Sequence, residues 1–306
     1  MRFEMKVALT GGTGFIGQYL VKEYGDKYEF VVPTRRKEFD GFSTNAQYVH
    51  VDEDCEWVSV FDGCEAVIHL ASNVMCGMDY NLNTRDYIGN IALSERVFDA
   101  CHRLGIDNVV NASSVAVYDQ IDEKPMDENA PCQPNSIYGV MKLAVEKIAE
   151  IYNRRYEMKI KSLRLAQGAG ISDKMDPSSF WTMLITYPYS GKAIPVYGEG
   201  KTGRDVIYVK DMAHGLICAL EHKDESGVFN IGTGKVTSNI ELAKTFAKVF
   251  GNKDGVVYVN HEENAIRTCM DISKAKKVLG FEPQYDLLKM AEDMKQEYLL
   301  EMRNGK

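Results

Sequence analysis

The chain has 306 residues, with 36 Lys+Arg against 44 Asp+Glu for a formal net charge of −8, and is 45% hydrophobic and 26% charged. Such a composition buries enough apolar surface to offset chain entropy, which excludes a disordered chain, and the length suits one large domain or two joined ones. The acidic balance leaves no excess of cations to displace counterions from phosphates, which excludes a general nucleic-acid binder; the basic runs Arg35-Arg36-Lys37 and Arg154-Arg155 are too short to alter that.

In chain order, Lys6–Thr10 is the first expected strand, and the short apolar run before Gly11 is no secretory leader. No later apolar run approaches the roughly 18 residues needed to span a bilayer, so a cytoplasmic protein without membrane partners is expected. Further strands are expected at Phe30–Thr34, Tyr48–Val51, Ala66–Leu70, Val109–Ser113 and Ile160–Leu165. Segments of helical period separate them. The one from about Arg85 to Leu104 sets Leu93, Val97, Cys101 and Leu104 on one stripe. Alternation of this kind builds a parallel sheet with helices on both faces, a doubly wound α/β (Rossmann) fold. From Gly168 to Gly203 the rhythm breaks into Gly-, Pro- and aromatic-rich loops around one helix near Phe180–Tyr187. A strand at Val206–Val209, a helix at Lys210–Leu220 and a strand at Val228–Ile231 recover the α/β pattern, and helices at Asn239–Phe250 and Ile272–Leu279 follow.

Seven cysteines, at 55, 64, 76, 101, 132, 218 and 269, include no Cys-x-x-Cys pair. Neither a zinc site nor a disulfide framework is expected, and reduced, mostly buried thiols are.

Val7-Ala-Leu-Thr-Gly11-Gly-Thr-Gly14-Phe-Ile-Gly17 reads as a strand, a glycine-rich turn and a helix. A tight turn requires Gly11, close approach of a pyrophosphate requires Gly14, and Gly17 lets the helix pack on the strand, while the helix N-terminus offers amide donors. The strand before and the helix after are the context a dinucleotide site demands. The next strand ends Thr34-Arg35-Arg36, where an NAD site usually carries an acidic residue for the ribose 2′-hydroxyl. Arg35 and Arg36 suit a 2′-phosphate instead, which favours NADP over NAD.

Ser113-Ser114 closes the fifth strand, and Tyr138-Gly-Val-Met-Lys142 opens a later helix. Tyr138 and Lys142 are four apart and share a helical face, while Met141, Val145, Ile148 and Tyr152 form a second face that can pack. A phenol of ordinary pKa about 10 is a poor base at neutral pH, and a neighbouring ammonium favours its ionised form. Ser114 can hold the same substrate oxygen.

With these motifs the chain resembles the extended short-chain dehydrogenase/reductase family, in its nucleotide-sugar epimerase/dehydratase group. The resemblance rests on the glycine loop, His69-Leu-Ala-Ser72, Ser114, Tyr138-x-x-x-Lys142, Leu163-Arg164, Arg204-Asp-Val-Ile-Tyr-Val-Lys-Asp211 and Asn230-Ile-Gly232, and it spans nearly the whole length. It implies Tyr138 as general acid/base, Lys142 on the nicotinamide ribose and Ser114 on the sugar oxygen. It also implies Phe15 and Ile16 as backbone contacts to the pyrophosphate, Asp52 at the adenine, Leu70, Ala71 and Ser72 beneath the dinucleotide, and a structural His69. Arg204 would grip the substrate pyrophosphate, and Gln167 stands where an asparagine commonly holds the substrate. The implied partner is a small-molecule nucleotide sugar, bound by a homodimer, with no metal.

Some positions depart from the group. Val115 and Ala116 replace the acidic pair that 4,6-dehydratases place after the serine, so dehydration is not expected. His261-Glu-Glu-Asn264 replaces an Arg-Pro-Gly-Asp motif before Asp271-Ile-Ser-Lys-Ala275, leaving Arg267 as the candidate second phosphate-binding arginine. The expected division is residues 1–166 with about 206–232 for the dinucleotide, and 167–205 with 233–306 for the substrate. The expected function is C4 epimerisation of a nucleotide sugar through a 4-keto intermediate. The alternatives are an NADPH-dependent keto-sugar reductase and a non-catalytic NADP-sensing regulator.

Overall fold

A computed structural model describes residues 3–38, 43–52, 54–72, 84–118, 124–172, 176–263 and 265–303; Cys76 and Asn264 fall outside them. The first half runs β1 (Lys6–Thr10), α1 (Phe15–Tyr24), β2 (Glu29–Thr34), β3 (Ala46–His50), α2 (Trp57–Phe61), β4 (Ala66–His69), α3 (Thr84–Leu104) and β5 (Asn108–Ser114). It continues with α4 (Ile137–Tyr156), β6 (Lys159–Leu165), β7 (Gln167–Ala169), α5 (Phe180–Tyr189), β8 (Ile194–Tyr197), β9 (Gly203–Tyr208), α6 (Val209–Glu221) and β10 (Gly227–Ile231). The last elements are β11 (Val236–Ser238), α7 (Asn239–Phe250), β12 (Val256–Val259), β13 (Arg267–Thr268), α8 (Ser273–Leu279) and α9 (Leu287–Arg303).

Seven strands form one sheet in the order β3-β2-β1-β4-β5-β6-β10, and every pairing in it is parallel. Val7, Leu9, Phe30, Val32, Ile68 and Val110 pack with Leu20, Leu216 and Leu220 on one face. Ala8, Val67 and Val109 pack with Trp57, Phe98, Cys101, Val145 and Tyr152 on the other. A sheet buried on both faces explains the near-continuous apolar runs of its strands. The strand order reverses between β1 and β4, and the carboxyl ends of strands at such a reversal are where open α/β sheets bind ligands.

The strand expected at Val206–Val209 is β9, which leaves the large sheet: it pairs with β7, β11 and β13 in a second sheet, while β8 pairs with β12. A third core of Leu184, Ile185, Val196, Leu242, Phe246 and Met294 lies among these strands and helices α5, α7 and α9. Two features absent from the sequence reading appear here, the five short strands β7, β8, β11, β12 and β13, and the C-terminal helix α9. Polar anchors fix α9. The Tyr208 hydroxyl donates to Asp293 at 2.8 Å, Tyr19 donates to Glu297 at 2.6 Å, and Lys210 donates to Asp293 at 2.6 Å.

Candidate active site

Three segments meet at the carboxyl ends of β1, β4 and β5. The first is the glycine turn. Gly11 has φ +74°, and a Cβ on it would lie 2.7 Å from the Ala71 amide nitrogen, so the turn and the loop after β4 touch through backbone alone. Gly17 meets the turn rather than the strand: a Cβ there would lie 2.5 Å from both the Gly11 carbonyl oxygen and the Gly12 Cα. No side chain caps the N-terminus of α1 at Gly14, and no acidic residue stands in its first turn, so its amides remain available to an anion. Phe15 and Ile16 open this helix, and the Phe15 ring lies under Gly168 and Gly170 of the segment carrying β7.

The second segment is Leu70-Ala71-Ser72. The Leu70 amide donates to the Thr10 carbonyl at 3.0 Å and the Ala71 amide to the Thr10 hydroxyl at 3.3 Å. His69 is wholly buried and holds this arrangement from beneath. Ser94 donates its hydroxyl proton to the Asn90 carbonyl, so its oxygen accepts from His69 Nε2–H at 3.0 Å. Nδ1 is then the acceptor of the Thr10 hydroxyl at 2.7 Å. Burial, aided by the Lys142 charge, lowers the His69 pKa to about 3, so the ring is neutral and structural at ordinary pH. The Ser72 hydroxyl is buried with no hydrogen-bond partner among the described residues. An unpaired buried hydroxyl costs free energy unless a ligand completes it. Uncapped amides, a side-chain-free cradle and this hydroxyl together fit a dinucleotide.

The ends of β2 and β3 flank the cradle. Thr34 is buried, and its hydroxyl accepts the Arg36 amide at 3.2 Å, turning the chain outward so that Arg35 is exposed just past the end of β2. Asp52 is exposed beyond β3, 3.5 Å from the His50 ring.

The third segment carries Ser114, Tyr138 and Lys142. Ser114 ends β5 beside β4 and accepts the Ala116 amide at 3.2 Å, starting a 3₁₀ turn over Val115–Val117. Ser136 caps α4 by accepting the Gly139 amide at 3.1 Å, which makes Tyr138 part of the first helical turn. A Cβ on Gly139 would overlap the Ala116 carbonyl oxygen. This glycine therefore sets how closely the Tyr138 helix approaches the Ser114 turn. Lys142 is buried, donates to the Ala112 carbonyl at 2.8 Å, and holds its ammonium 5.8 Å from the centre of the Tyr138 ring. All three expected residues are thus brought to one strand end.

Beneath them lies a buried network absent from the sequence reading. Glu146, one helical turn past Lys142, accepts from Arg164 Nε at 3.0 Å and Nη2 at 2.7 Å, and also from the Ser113 hydroxyl. Arg164 Nη1 donates to the Tyr118 hydroxyl at 2.7 Å, and that hydroxyl donates to Asn230 at 2.8 Å. Burial works against the Arg164 charge, but the Glu146 carboxylate outweighs it and holds the guanidinium above its usual pKa. Its place four residues past Lys142, on the helical face of Tyr138 and Lys142, was the available signal for Glu146.

Gln167 begins β7, two residues beyond Leu165, whose partner across the sheet is Ser114. With Arg204 on β9 it lines a cavity of about 300 Å³ that also includes Phe180, Trp181, Tyr197 and Asn239. Of its motif, Arg204 and Val206 line it, while the two aspartates are held elsewhere. Asp205 accepts from the Thr233 amide and hydroxyl and the Gly234 amide, and Asp211 accepts the Gln284 and Tyr285 amides. Arg267, the candidate second phosphate ligand, does not line this cavity; its Nη1 donates to the Lys201 carbonyl at 3.4 Å. Its strand neighbour Thr268, not Arg267, stands opposite Arg204, so successive side chains alternate and Arg267 takes the other face. Among the described residues no group of acidic, His or Cys side chains could hold a metal, and no helix is long and apolar enough to cross a membrane.

The profile of the NAD dependent epimerase/dehydratase family matches residues 7–232. The chain belongs to that family. It is 30% identical over 294 residues to a putative UDP-glucose 4-epimerase of Methanocaldococcus jannaschii, covering 92% of this chain and 94% of that one. Among solved structures, the UDP-N-acetylglucosamine 4-epimerase of Bacillus cereus superposes with a TM-score of 0.86 at 30% identity, over 96% of this chain and 99% of that chain. A second, MoeE5 in complex with UDP-glucose and NAD, superposes at 0.82 with 26% identity, over 97% and 99%. As a member of this family the protein is an enzyme with a Rossmann-type parallel sheet.

Proposed function

We propose that the protein interconverts the C4 epimers of a nucleotide sugar, UDP-hexoses first among them. The observation that carries the reading is the meeting of Ser114, Tyr138 and Lys142 at one strand end, two residues of β6–β7 from the cavity lined by Gln167 and Arg204. The likeness to the UDP-N-acetylglucosamine 4-epimerase of Bacillus cereus supports it. A nicotinamide dinucleotide, as named in the MoeE5 complex, would supply the group that takes up and returns hydride. The glycine turn from Gly11 to Gly17 and the amides of Phe15 and Ile16 would hold its pyrophosphate, with Leu70, Ala71 and Ser72 beneath and Asp52 at the adenine end. Tyr138 then removes the proton of the 4-hydroxyl and later returns it. The Lys142 ammonium favours the ionised phenol, and Ser114 donates to the same sugar oxygen. Arg204 binds the substrate pyrophosphate and Gln167 the sugar side. Val115 and Ala116 have no proton to give, so elimination of water is not supported.

Residues 1–166 with about 206–232 would serve the dinucleotide, and 167–205 with 233–306 the substrate. The described cysteines are free thiols, which supports a reducing, cytoplasmic setting. Exposed Ile88 on α3 and Val140 and Ile151 on α4 support a homodimer; sedimentation at the mass of one 34.5 kDa chain would remove that part of the proposal.

The test is to incubate the purified protein with UDP-hexoses without added cofactor and follow the anomeric NMR signals. Appearance of the C4 epimer with no change at the NADPH absorbance band is the expected result. No epimer, with steady NADPH oxidation on a 4-keto sugar, would replace the reading by the reductase; inertness in both would favour the regulator.

Exposed Arg35 supports NADP in preference to NAD. NADP is expected to bind more tightly, and Arg35→Ala to remove most of the difference. One charge-assisted contact is worth about 1.5–3 kcal/mol, or roughly ten- to hundredfold in affinity. Titration by fluorescence quenching checks it, and equal affinity in the unsubstituted protein would refute the preference.

A further inference from the structure

Between Tyr197, the last residue of β8, and Gly203, the first of β9, runs a loop of five residues. Tyr197 and Arg204, at its two ends, both line the cavity. The loop is folded tightly: Gly198 and Gly200 have φ of +64° and +68°, a region L side chains rarely enter. On one side it is tied to the start of α7. The Ile240 amide donates to the Gly200 carbonyl at 3.0 Å and the Asn239 amide to the Thr202 carbonyl at 2.9 Å.

On the other side Arg267 donates to the Lys201 carbonyl at 3.4 Å, and one carboxylate spans two of the loop's amides. Glu263, in the segment before β13, accepts the Glu199 amide at 2.8 Å on Oε2 and the Thr202 amide at 2.6 Å on Oε1. Gly198 fits directly against it, since a Cβ there would lie 2.8 Å from the Glu263 Cβ. Those amide bonds lower the Glu263 pKa to about 2, so the carboxylate is ionised throughout the neutral range. Glu263 itself does not line the cavity.

We propose that Glu263 is a positioning residue for substrate binding: by closing the 198–202 loop it fixes Tyr197 and Arg204 on either side of the cavity. A carboxylate spans both amides because each oxygen is an acceptor. The substitution Glu263→Gln would leave one acceptor and one donor in its place, and the donor would face a backbone N–H. The inference rests on the cavity being the nucleotide-sugar site, and it adds to that site a residue that touches no substrate.

The experiment compares the parent protein with Glu263→Gln and Glu263→Asp. In Glu263→Gln the amide hydrogens of Glu199 and Thr202 should exchange faster. UDP affinity by calorimetry should fall about ten- to hundredfold, as expected when one charge-assisted contact to the ligand is lost. KM should rise with kcat nearly unchanged, and Glu263→Asp, which keeps two acceptors, should recover part of the loss. Parent-like UDP affinity in Glu263→Gln would overturn the proposal alone. So would kcat, KM and thermal midpoint all worsening together, since that marks general damage. A parent protein that binds no UDP would instead overturn the site reading, and this proposal with it.

Discussion

Tyr138→Phe is expected to lower turnover by about 10²–10⁴-fold, the range ascribed to one positioned acid/base group, while dinucleotide affinity stays close to that of the parent. The substitution deletes one oxygen and leaves the surrounding contacts in place. Ser136 still caps α4 through the Gly139 amide, Gly139 still rests against the Ala116 carbonyl, and Lys142 still donates to Ala112. The half-buried ring keeps its volume, so stability should change little. What is lost is the atom proposed to exchange a proton with the sugar hydroxyl. Kinetics on the epimerised sugar, paired with a dinucleotide titration, check both halves. Activity near the parent level would show that another group moves the proton, and a matching loss of dinucleotide affinity would show that Tyr138 acts in binding.

The elements that carry the candidate site were legible in the sequence because their signals are local. Strand β1 runs from Lys6 to Thr10 as read, bounded by the glycine turn, and α7 spans Asn239–Phe250 because Ser238 and Glu241 form a capping box and Gly251 closes the helix in a left-handed conformation. Tyr138 and Lys142 share a helical face whatever the helix packs against. Pairings between distant segments were not legible. Strand β13 has two residues, and it is a strand only because Arg267 and Thr268 lie beside Gly203 and Arg204. Helix α9 buries Met290, Ala291 and Met294, but its charged majority hides that stripe, and its anchors on Tyr19, Tyr208 and Lys210 come from far along the chain. The same holds for Arg267, whose type suits a phosphate but whose strand register turns it away from the cavity. Residue type is a local property; the face a residue occupies is not.

The second large effect is expected at Glu146. Its carboxylate and the Arg164 guanidinium are 2.7 Å apart, with 2% and 4% of their side chains exposed. Removing one member of such a pair leaves a charge buried without compensation, at a cost of about 3–5 kcal/mol. Glu146→Gln keeps the shape and one acceptor but not the charge, so the urea midpoint should fall sharply. Turnover should fall too, because the Ser113 hydroxyl that Glu146 accepts is next to Ser114, and the strand end loses one of its ties to α4, keeping that of Lys142 to Ala112. The companion variant Glu146→Met with Arg164→Met separates charge from packing, because replacing a buried pair by apolar residues of similar volume is often neutral or stabilising. It should recover most of the midpoint, while turnover stays low because the apolar pair cannot hold Ser113 or Tyr118. If Glu146→Gln unfolds at the parent's urea concentration, the pair carries no such burden. If the double variant recovers activity along with stability, the network supports the fold alone, and Ser114 is placed by β5 and the 3₁₀ turn without help from α4.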